Sequence, residues 1–219
     1  MRGNLTKKIN FFMALTIILA GLPGLKASGQ DPFRGMDDER VLPMLRHLSY
    51  EHGGLNVPAV DGRVLFDLVR EKGYRKGLEI GTSNGYSGLW LGLAFRETGG
   101  KLVTLEIEPA RAGEARANFR KAGLDGVIDS RICDALEEIP KLEGTFDFVF
   151  IDAWKPDYIR YLELLYDRME PGGAITAHNV TGQASLMEDF LDRIENDPRL
   201  DTRIDRSSSQ GISISIVKK

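Results

Sequence analysis

Asp152 and Lys155 lie three residues apart in the segment FDFVFIDAWKPDY, directly after a strongly apolar run. A carboxylate beside a lysine is a pairing that proton-transfer chemistry can use. A second segment, LEIGTSNGYSG (residues 78–88), ends an apolar run with Glu79 and then places Gly81 and Gly85 four residues apart. By itself, this loop fits either a nucleotide-like cofactor or an ordinary tight turn between a strand and a helix.

Polar or ionisable residues occur wherever an apolar run stops. They lie at residues 79–85, at Glu106, and at residues 133–134, 152–155 and 178–179. In an open parallel sheet, ligands bind outside the carboxyl ends of the strands, near the point where the strand order reverses. We therefore expect these residues to meet at one site.

The elements that position them alternate between apolar runs and amphipathic stretches. Strands are predicted at residues 76–81, 101–108, 127–133, 146–152 and 172–180, with a terminal hairpin over 201–219. Helices are predicted at residues 36–48, 63–73, 86–97, 109–123, 134–142, 156–169 and 185–197, with a loop over 53–62. This alternation predicts a doubly wound α/β domain, with a mostly parallel seven-stranded sheet and a C-terminal antiparallel hairpin.

The composition narrows the class of protein. The 219 residues are 42% hydrophobic and carry a formal net charge of -3. This suits a single globular domain and argues against a nucleic-acid partner, which would need clustered Lys and Arg. The only cysteine, Cys133, excludes an internal disulfide and a multi-cysteine metal site, and its simplest interpretation is a small buried hydrophobe.

Residues 1–29 have the layout of a targeting segment. Lys7 and Lys8 precede the apolar run FFMALTIILA, and the small residues Ala27 and Gly29 precede Gln30. This pattern predicts a signal peptide or an N-terminal membrane anchor, followed by one domain over residues 30–219. The protein would then be exported, periplasmic or membrane-anchored. If the true start is Met36, it would be cytoplasmic.

Three carboxylates suggest the ligand. Glu79 suits a cationic amino group, and Glu106 follows a strand at the place where an acid accepts both hydroxyls of a ribose. Asp134 could accept from an adenine amino group or could cap the following helix. A ligand with an amino-acid end, a ribose and an adenine but no phosphates is S-adenosylmethionine. The loop lacks the G-x-G-x-x-G pattern, which speaks against a nicotinamide oxidoreductase.

Four segments together resemble one family: LEIGTSNGYSG, VTLEIEPARAGEARANF, CDALEEI and FDFVFIDAWKPDY. They are similar to the class I, Rossmann-like S-adenosylmethionine-dependent O-methyltransferases of the catechol and caffeoyl-CoA type, which bind a divalent metal. The pattern D-x-W-K-x-x-Y at Asp152, Trp154, Lys155 and Tyr158 carries much of this resemblance. NVPAVDGRVL, with Asn56 and Val57, resembles the family's segment against the methionine end of the cofactor.

The resemblance implies a role for each matched residue. Lys155 would be the general base, and Asp152 would act beside it as a metal ligand. The implied cofactor contacts are Val57, Glu79, Gly81, Ser83, Tyr86, Ser87, Glu106, Asp134, Ala135 and Asp152. The implied metal ligands are Asp152, His178 and Asn179, and the implied substrate contacts are Trp154 and Lys155. The expected substrate is a small hydroxylated aromatic molecule such as a catechol, and a homodimer and membrane association are further expectations.

The sequence departs from the family at two places. His178-Asn179 replaces the usual Asp-Asn pair, and RSSSQG (residues 206–211) lacks the family's late substrate-orienting acid. Magnesium remains the metal that the family implies, while the imidazole also allows manganese or zinc. Two alternatives stay open. One is a metal-independent methyltransferase that uses His178 as a base or substrate contact, and the other is a non-catalytic S-adenosylmethionine-binding module.

Overall fold

The computed structural model describes residues 31–51 and 56–218. Its helices are α1 (Val41–Glu51), α2 (Ala59–Lys72), α3 (Tyr86–Thr98), α4 (Pro109–Ala122), α5 (Ala135–Glu138), α6 (Tyr158–Leu165) and α7 (Glu188–Asn196). Its strands are β1 (Lys76–Ile80), β2 (Lys101–Glu106), β3 (Ile128–Ile132), β4 (Phe146–Ile151), β5 (Met169–His178), β6 (Leu200–Asp205) and β7 (Ile212–Val217). Single 3-10 turns lie at Ile139–Lys141, Lys155–Asp157, Tyr166–Arg168 and Ala184–Leu186.

The described strands form one seven-stranded sheet in the order β3-β2-β1-β4-β5-β7-β6. Neighbours from β3 to β5 are parallel, whereas β7 runs antiparallel to both β5 and β6. The predicted doubly wound sheet with a C-terminal hairpin is confirmed. The strand order reverses between β1 and β4, so their carboxyl ends, Ile80 and Ile151, flank the crevice where this fold binds ligands.

Helices cover both faces of the sheet. On one face, α1 to α4 bury large side chains such as Leu65, Trp90 and Phe119 against the sheet. On the other face, α5 to α7 bury Tyr158 and Phe190. Because both faces are covered, the central strands are apolar almost throughout, which explains why β4 reads FDFVFI. None of the helices among residues 31–51 and 56–218 has the length and hydropathy needed to cross a membrane.

The first two helices begin elsewhere than predicted. Helix α1 starts at Val41 because the carboxylate of Asp38 accepts the backbone N–H groups of Arg40 and Val41. Helix α2 starts at Ala59 instead of residue 63, so the predicted loop over 53–62 is wrong for its last four residues. Pro58 precedes the first turn, and its carbonyl accepts from the N–H of Asp61. The turn therefore places Asp61 inside a helix.

The segment before β5 also differs from its prediction. Residues 156–169 do not form one helix, because 3-10 turns replace its two ends and Met169 already pairs with Phe146 in the sheet. The register then shifts so that Phe148 pairs with Ala174. This irregularity accommodates the Pro-Gly-Gly sequence inside the strand, where an uninterrupted ladder would exclude proline.

Candidate active site

A cleft at the carboxyl ends of the strands has two adjoining lobes. The Lys155 lobe has a volume of about 550 Å³ and is lined by residues that include Val57, Tyr86, Lys155, His178 and Asn179. The Glu106 lobe, of about 540 Å³, is lined by residues that include Glu106, Cys133, Asp134 and Ala135. Both lobes share Gly81, Ser83, Arg111, Asp152, Ala153 and Trp154. One elongated ligand could therefore occupy both lobes.

The loop after β1 forms the floor between the lobes. Gly81, Ser83 and Gly85 all have positive φ angles, of 97°, 50° and 87°. A Cβ atom on Gly81 would lie 2.2 Å from the carbonyl oxygen of Asp152. Only glycine permits this approach of the loop to the end of β4, because any side chain would both clash and strain the backbone.

Glu106 holds this loop from the neighbouring strand. Its Oε2 accepts from the backbone N–H of Ser83 at 2.7 Å, and its Oε1 accepts from the N–H of Glu108 at 3.0 Å. Each carboxylate oxygen can accept further hydrogen bonds. A buried but cleft-lining acid of this kind has the acceptors to bind the two hydroxyls of a ribose, and that contact stays a prediction.

Asp134 and Glu79 have different surroundings from Glu106. Asp134 lines the Glu106 lobe, and its Oδ1 also caps α5 by accepting from the N–H of Leu136 at 2.8 Å. Glu79 lies beneath the loop, fully buried, and does not line either lobe. Thr104 donates to its Oε2 at 2.6 Å, and burial raises the pKa of Glu79 to about 7 against the hydrogen bonds of Ser87 and Thr104. Glu79 thus supports the loop from behind.

Asp152, Lys155 and Tyr158 form a connected group at the end of β4. The Nζ of Lys155 donates to Asp152 Oδ1 at 2.8 Å and lies 2.9 Å from the Tyr158 hydroxyl. Burial and the Asp152 charge raise the pKa of Tyr158 well above its ordinary value, so this phenol stays neutral and donates to the His178 carbonyl at 3.3 Å. Lys155 is mostly buried and held by two partners, unlike a solvated surface lysine. Tyr158 is buried in the core, and its hydroxyl holds the Nζ of Lys155 in place.

His178 lies between two carboxylates. Its Nε2 is 2.9 Å from Asp61 Oδ2, and its Nδ1 is 3.4 Å from Asp152 Oδ2. Burial alone would lower the pKa of His178, but Asp152 and Asp61 outweigh it and raise that pKa to about 9. Burial alone would raise the pKa of Asp152, yet His178 and Lys155 lower it below its ordinary value. Asp152 and His178 thus favour each other's charged form.

The predicted metal ligands Asp152, His178 and Asn179 all line the Lys155 lobe. Magnesium prefers a set of oxygen ligands, but His178 supplies nitrogen, and both of its ring nitrogens face carboxylates. The two oxygens of Asp152 already face Lys155 and His178, while the amide of Asn179 donates to Gln210 at 3.0 Å. Over residues 31–51 and 56–218, no three His, Cys, Asp or Glu side chains are grouped so that they could hold a metal ion. These three side chains therefore do not form the set of oxygen ligands that magnesium prefers.

Sequence reasoning missed Asp61, Ser208 and Gln210. Asp61 is 1% exposed and accepts from His178 and, at 2.6 Å, from the hydroxyl of Ser208. One signal could have found it. Asp61, Leu65 and Leu68 lie on one face of α2, so the acid occupies the buried stripe of an amphipathic helix. The loop assigned to residues 53–62 hid that pattern.

Comparisons with known proteins agree with the site. The family model described as O-methyltransferase matches residues 34–208. A catechol O-methyltransferase of Niastella koreensis is 32% identical over 161 residues, which cover 71% of this chain and 72% of that protein. A caffeoyl-CoA O-methyltransferase of Medicago sativa is 28% identical over 158 residues, with 68% and 64% covered. The O-methyltransferase TomG of Streptomyces achromogenes, solved in complex with S-adenosylmethionine, has a TM-score of 0.71 at 27% identity, with 84% of this chain and 91% of that chain covered.

Proposed function

Because this chain belongs to the O-methyltransferase family and is an S-adenosylmethionine-dependent enzyme of the catechol and caffeoyl-CoA type, we propose that it methylates a hydroxyl group of a small, catechol-like aromatic molecule. The observation that supports this most is the position of Lys155. Its Nζ atom lies in the Lys155 lobe, held by Tyr158 and by Asp152, which borders both lobes. A base held in this way beside an aromatic wall suits a phenolic hydroxyl.

The cofactor fits the two lobes by chemistry as well as by shape. When bound, S-adenosylmethionine supplies a methyl group on a positively charged sulfur. We assign its nucleoside to the Glu106 lobe, with Glu106, Asp134 and Ala135, and its methionine end to Val57, Tyr86 and Ser87. The buried hydroxyl of Tyr86 lies beside the indole N–H of Trp90, which can only donate, so its own hydrogen is left to donate to a ligand. Gly81 and Ser83 lie beneath the junction.

Lys155 would carry the proton-transfer step. In its neutral form it accepts the proton of the substrate hydroxyl while the oxygen forms a bond to the methyl carbon and the carbon–sulfur bond breaks. Asp152 and Tyr158 keep Nζ in place, and Asp152 stabilises the ammonium that forms. Because the base is already held in a productive geometry, less entropy is lost in reaching the transition state, and this is a large part of rate enhancement in bimolecular reactions.

Trp154 would form the wall for the substrate ring. It is 70% exposed, which is unusual for a tryptophan, and it borders both lobes. A large exposed aromatic beside a cleft offers a flat apolar surface to a flat ligand. Leu186, also exposed, lines the Lys155 lobe on a separate segment. These two side chains favour an aromatic over a sugar-like substrate.

Three further expectations remain predictions. Metal assistance is one of them, and the imidazole of His178 makes magnesium the least suited of the metals that the sequence allowed. Homodimer formation is the second. Export or anchoring by residues 1–29 is the third, and those residues lie outside the described part of the chain. Fractionation of cells that express the full chain would test the last of these, because membrane or periplasmic recovery is expected and recovery in the cytosol alone would contradict it.

A methyl-transfer assay tests the proposed function. The full-length protein would be incubated with labelled S-adenosylmethionine and a panel of catechols, alongside Lys155→Met and, as a matched control, Lys121→Met on the exposed face of α4. We expect Lys155→Met to lower kcat by at least about 100-fold because the base is lost. Its affinity for the cofactor should be unchanged, and Lys121→Met should behave as wild type.

Two outcomes would contradict the proposal in different ways. A fully active Lys155→Met variant would remove this lysine from the mechanism. Tight cofactor binding by the wild type without turnover on any substrate would instead favour the non-catalytic binding module.

A further inference from the structure

Helix α4 supports the loop after β1 with two adjacent side chains, Asn118 and Phe119. Both are buried, at 8% and 2% exposed. The Nδ2 atom of Asn118 donates to the backbone carbonyl of Asn84 at 2.9 Å, 34 residues away in the chain. Asn84 is itself buried and lines the Lys155 lobe. Asn118 lines neither lobe, so its effect on a ligand passes through the loop.

The Asn84 carbonyl depends on Asn118 for its hydrogen bond. No other donor within residues 31–51 and 56–218 bonds to this carbonyl. A buried carbonyl without a partner is costly, so the contact constrains the backbone at Asn84. Asn84 lies between Ser83 and Gly85, which both have positive φ angles. A serine with a φ of 50° persists only where its surroundings hold it, and Asn118 is part of that support.

The Asn84 side chain extends this constraint to helix α3. Its Oδ1 accepts from the N–H of Tyr86, the first residue of the helix, at 3.1 Å. Tyr86 and Ser87 line the Lys155 lobe, where the methionine end of the cofactor is assigned. Two hydrogen bonds through one residue therefore connect Asn118 to the start of α3.

Phe119 supports the same region by packing. A Cβ atom on Gly85 would lie 2.8 Å from the Phe119 ring, and a Cβ atom on Gly88 would lie 2.7 Å from it. The loop and the first turn of α3 thus lie directly against α4, with glycine at both points of approach. Because a packed interior has few voids, a shift of the loop is resisted by α4.

The loop is held at two consecutive residues by two different elements. Glu106, at the end of β2, accepts from the N–H of Ser83, and Asn118, in α4, donates to the carbonyl of Asn84. Glu106 lines the lobe assigned to the nucleoside, whereas Asn84 lines only the Lys155 lobe. The two halves of the cofactor therefore depend on different contacts of one loop.

We propose that Asn118 is a positioning residue that sets the affinity of the protein for the amino-acid end of S-adenosylmethionine. This inference rests on the proposed function, since it uses the orientation of the cofactor given there. Without the Asn118 donor, the Asn84 carbonyl turns toward water, and the hydrogen bond from Tyr86 to the Asn84 side chain is disturbed. The nucleoside half stays bound because Glu106 still holds Ser83.

Two ligands separate the halves of the cofactor. S-adenosylhomocysteine carries the amino-acid end, and methylthioadenosine has the same nucleoside and sulfur without it. Isothermal titration calorimetry with the full-length protein gives both dissociation constants. We expect Asn118→Leu to weaken binding of S-adenosylhomocysteine by at least about tenfold, and binding of methylthioadenosine by less than about twofold.

Asn196→Leu is the matched control. The amide of Asn196 also donates to a backbone carbonyl, that of Asp192, but in α7 and away from both lobes. We expect this variant to bind both ligands as the wild type does.

The selectivity of the loss distinguishes positioning from structural support. If Asn118 were merely structural, Asn118→Leu would have a lower melting temperature, but the ratio of its two dissociation constants would equal that of the wild type. An unchanged ratio would therefore overturn the inference. Failure of the proposed function has a different signature, because the wild type would then bind neither ligand, and both proposals would fall together.

A measurement on the wild type keeps the inference testable if Asn118→Leu does not fold. Hydrogen exchange of the backbone amides of residues 82–88 would be followed by mass spectrometry with each ligand at saturation. We expect S-adenosylhomocysteine to slow this exchange by at least about fivefold and methylthioadenosine by less than about twofold. Equal slowing by the two ligands would overturn the inference, because the loop would then respond to the nucleoside alone.

Discussion

The two carboxylate oxygens of Glu106 each accept a backbone N–H group, one from the loop after β1 and one from the start of α4. These bonds order the loop before any ligand arrives. Glu106 is only 6% exposed, yet it borders the lobe to which the ribose is assigned. A preordered, largely desolvated acceptor binds hydroxyl groups more strongly than a solvated one, because it does not have to give up water.

We expect Glu106→Gln to weaken S-adenosylmethionine binding by about 10- to 100-fold. Hydrogen bonds to a charged group contribute about 1.5–3 kcal/mol, and the amide also presents a donor where the N–H of Glu108 already donates. Isothermal titration calorimetry with the full chain measures the change. Glu108→Gln is the control, since this residue is exposed at the start of α4 and should not alter affinity. Unchanged affinity in Glu106→Gln would refute the ribose assignment.

For single residues, the sequence predicts which side chains meet at the site when those side chains directly follow a strand. Glu106, Asp152 and Lys155 follow apolar runs, and parallel strands bring such ends together, so the pattern alone is enough to group them. Asp61 comes from a helix far away in the chain. Its contact with His178 depends on how α2 packs against the sheet, which is set by side-chain packing that a periodicity does not encode.

Among the elements, the connection from β1 to α3 is closely constrained at Gly81. Gly81 has a φ of 97° and lies against the carbonyl of Asp152, so it joins the ends of β1 and β4 at the point where the strand order reverses. The same loop donates the Ser83 N–H group to Glu106. Its conformation thus couples three strands to the cleft.

We expect Gly81→Ala to destabilise the fold by about 2–4 kcal/mol, since a Cβ atom would lie 2.2 Å from a backbone oxygen in a left-handed conformation. Gly113→Ala is the matched control. Gly113 lies inside α4 with no heavy atom within 4 Å of the added Cβ, so it should gain about 0.5–1 kcal/mol. Urea denaturation measures both. A Gly81→Ala variant as stable as the wild type would mean that the loop is not held so close to β4.

The order of elements was predictable, but several of their ends were not. Alternating apolar and amphipathic segments predict the doubly wound sheet, because each pattern has its own period. Strand β5 starts at Met169, which pairs with Phe146, and its register then shifts so that Ala174 pairs with Phe148. The proline between these two pairs gives no sequence signal that the strand has already begun. The start of α1 depends on Asp38, one of two adjacent aspartates that could each have been the cap.

In the whole molecule, the Asp61–His178 contact links helix α2 to the carboxyl end of strand β5. His178 ends β5, and α2 belongs to the opposite end of the described chain. Both partners are buried, so the free energy of this contact contributes to global unfolding. Its contribution depends on pH because the pKa of His178 is raised to about 9 by the two carboxylates.

Whether the stability contribution of His178 rises or falls with pH depends on how its pKa differs between the folded and unfolded states. In the unfolded chain the pKa of a histidine is about 6.5. A group with a raised folded-state pKa contributes stability that is fully present below about pH 6.5 and is lost as the pH rises through about 9. Asp152 affects stability at acidic pH. Its pKa is lowered in the fold, so its contribution is present above the ordinary value of 3.8 and is lost on acidification.

We expect the free energy of unfolding of the wild type to fall by up to about 3 kcal/mol between pH 6.5 and 9.5 relative to the variant His178→Gln, measured by urea denaturation at each pH. Taking the difference between the wild type and His178→Gln cancels the pH-dependent stability contribution of Glu79. Its pKa of about 7 makes that acid unfavourable to folding as the pH rises toward 7 in both proteins. Tyr158, with a pKa well above 10, does not titrate in this window. Parallel curves for the two proteins would mean that His178 is not charged in the fold, and that its contacts with Asp61 and Asp152 are not ion pairs.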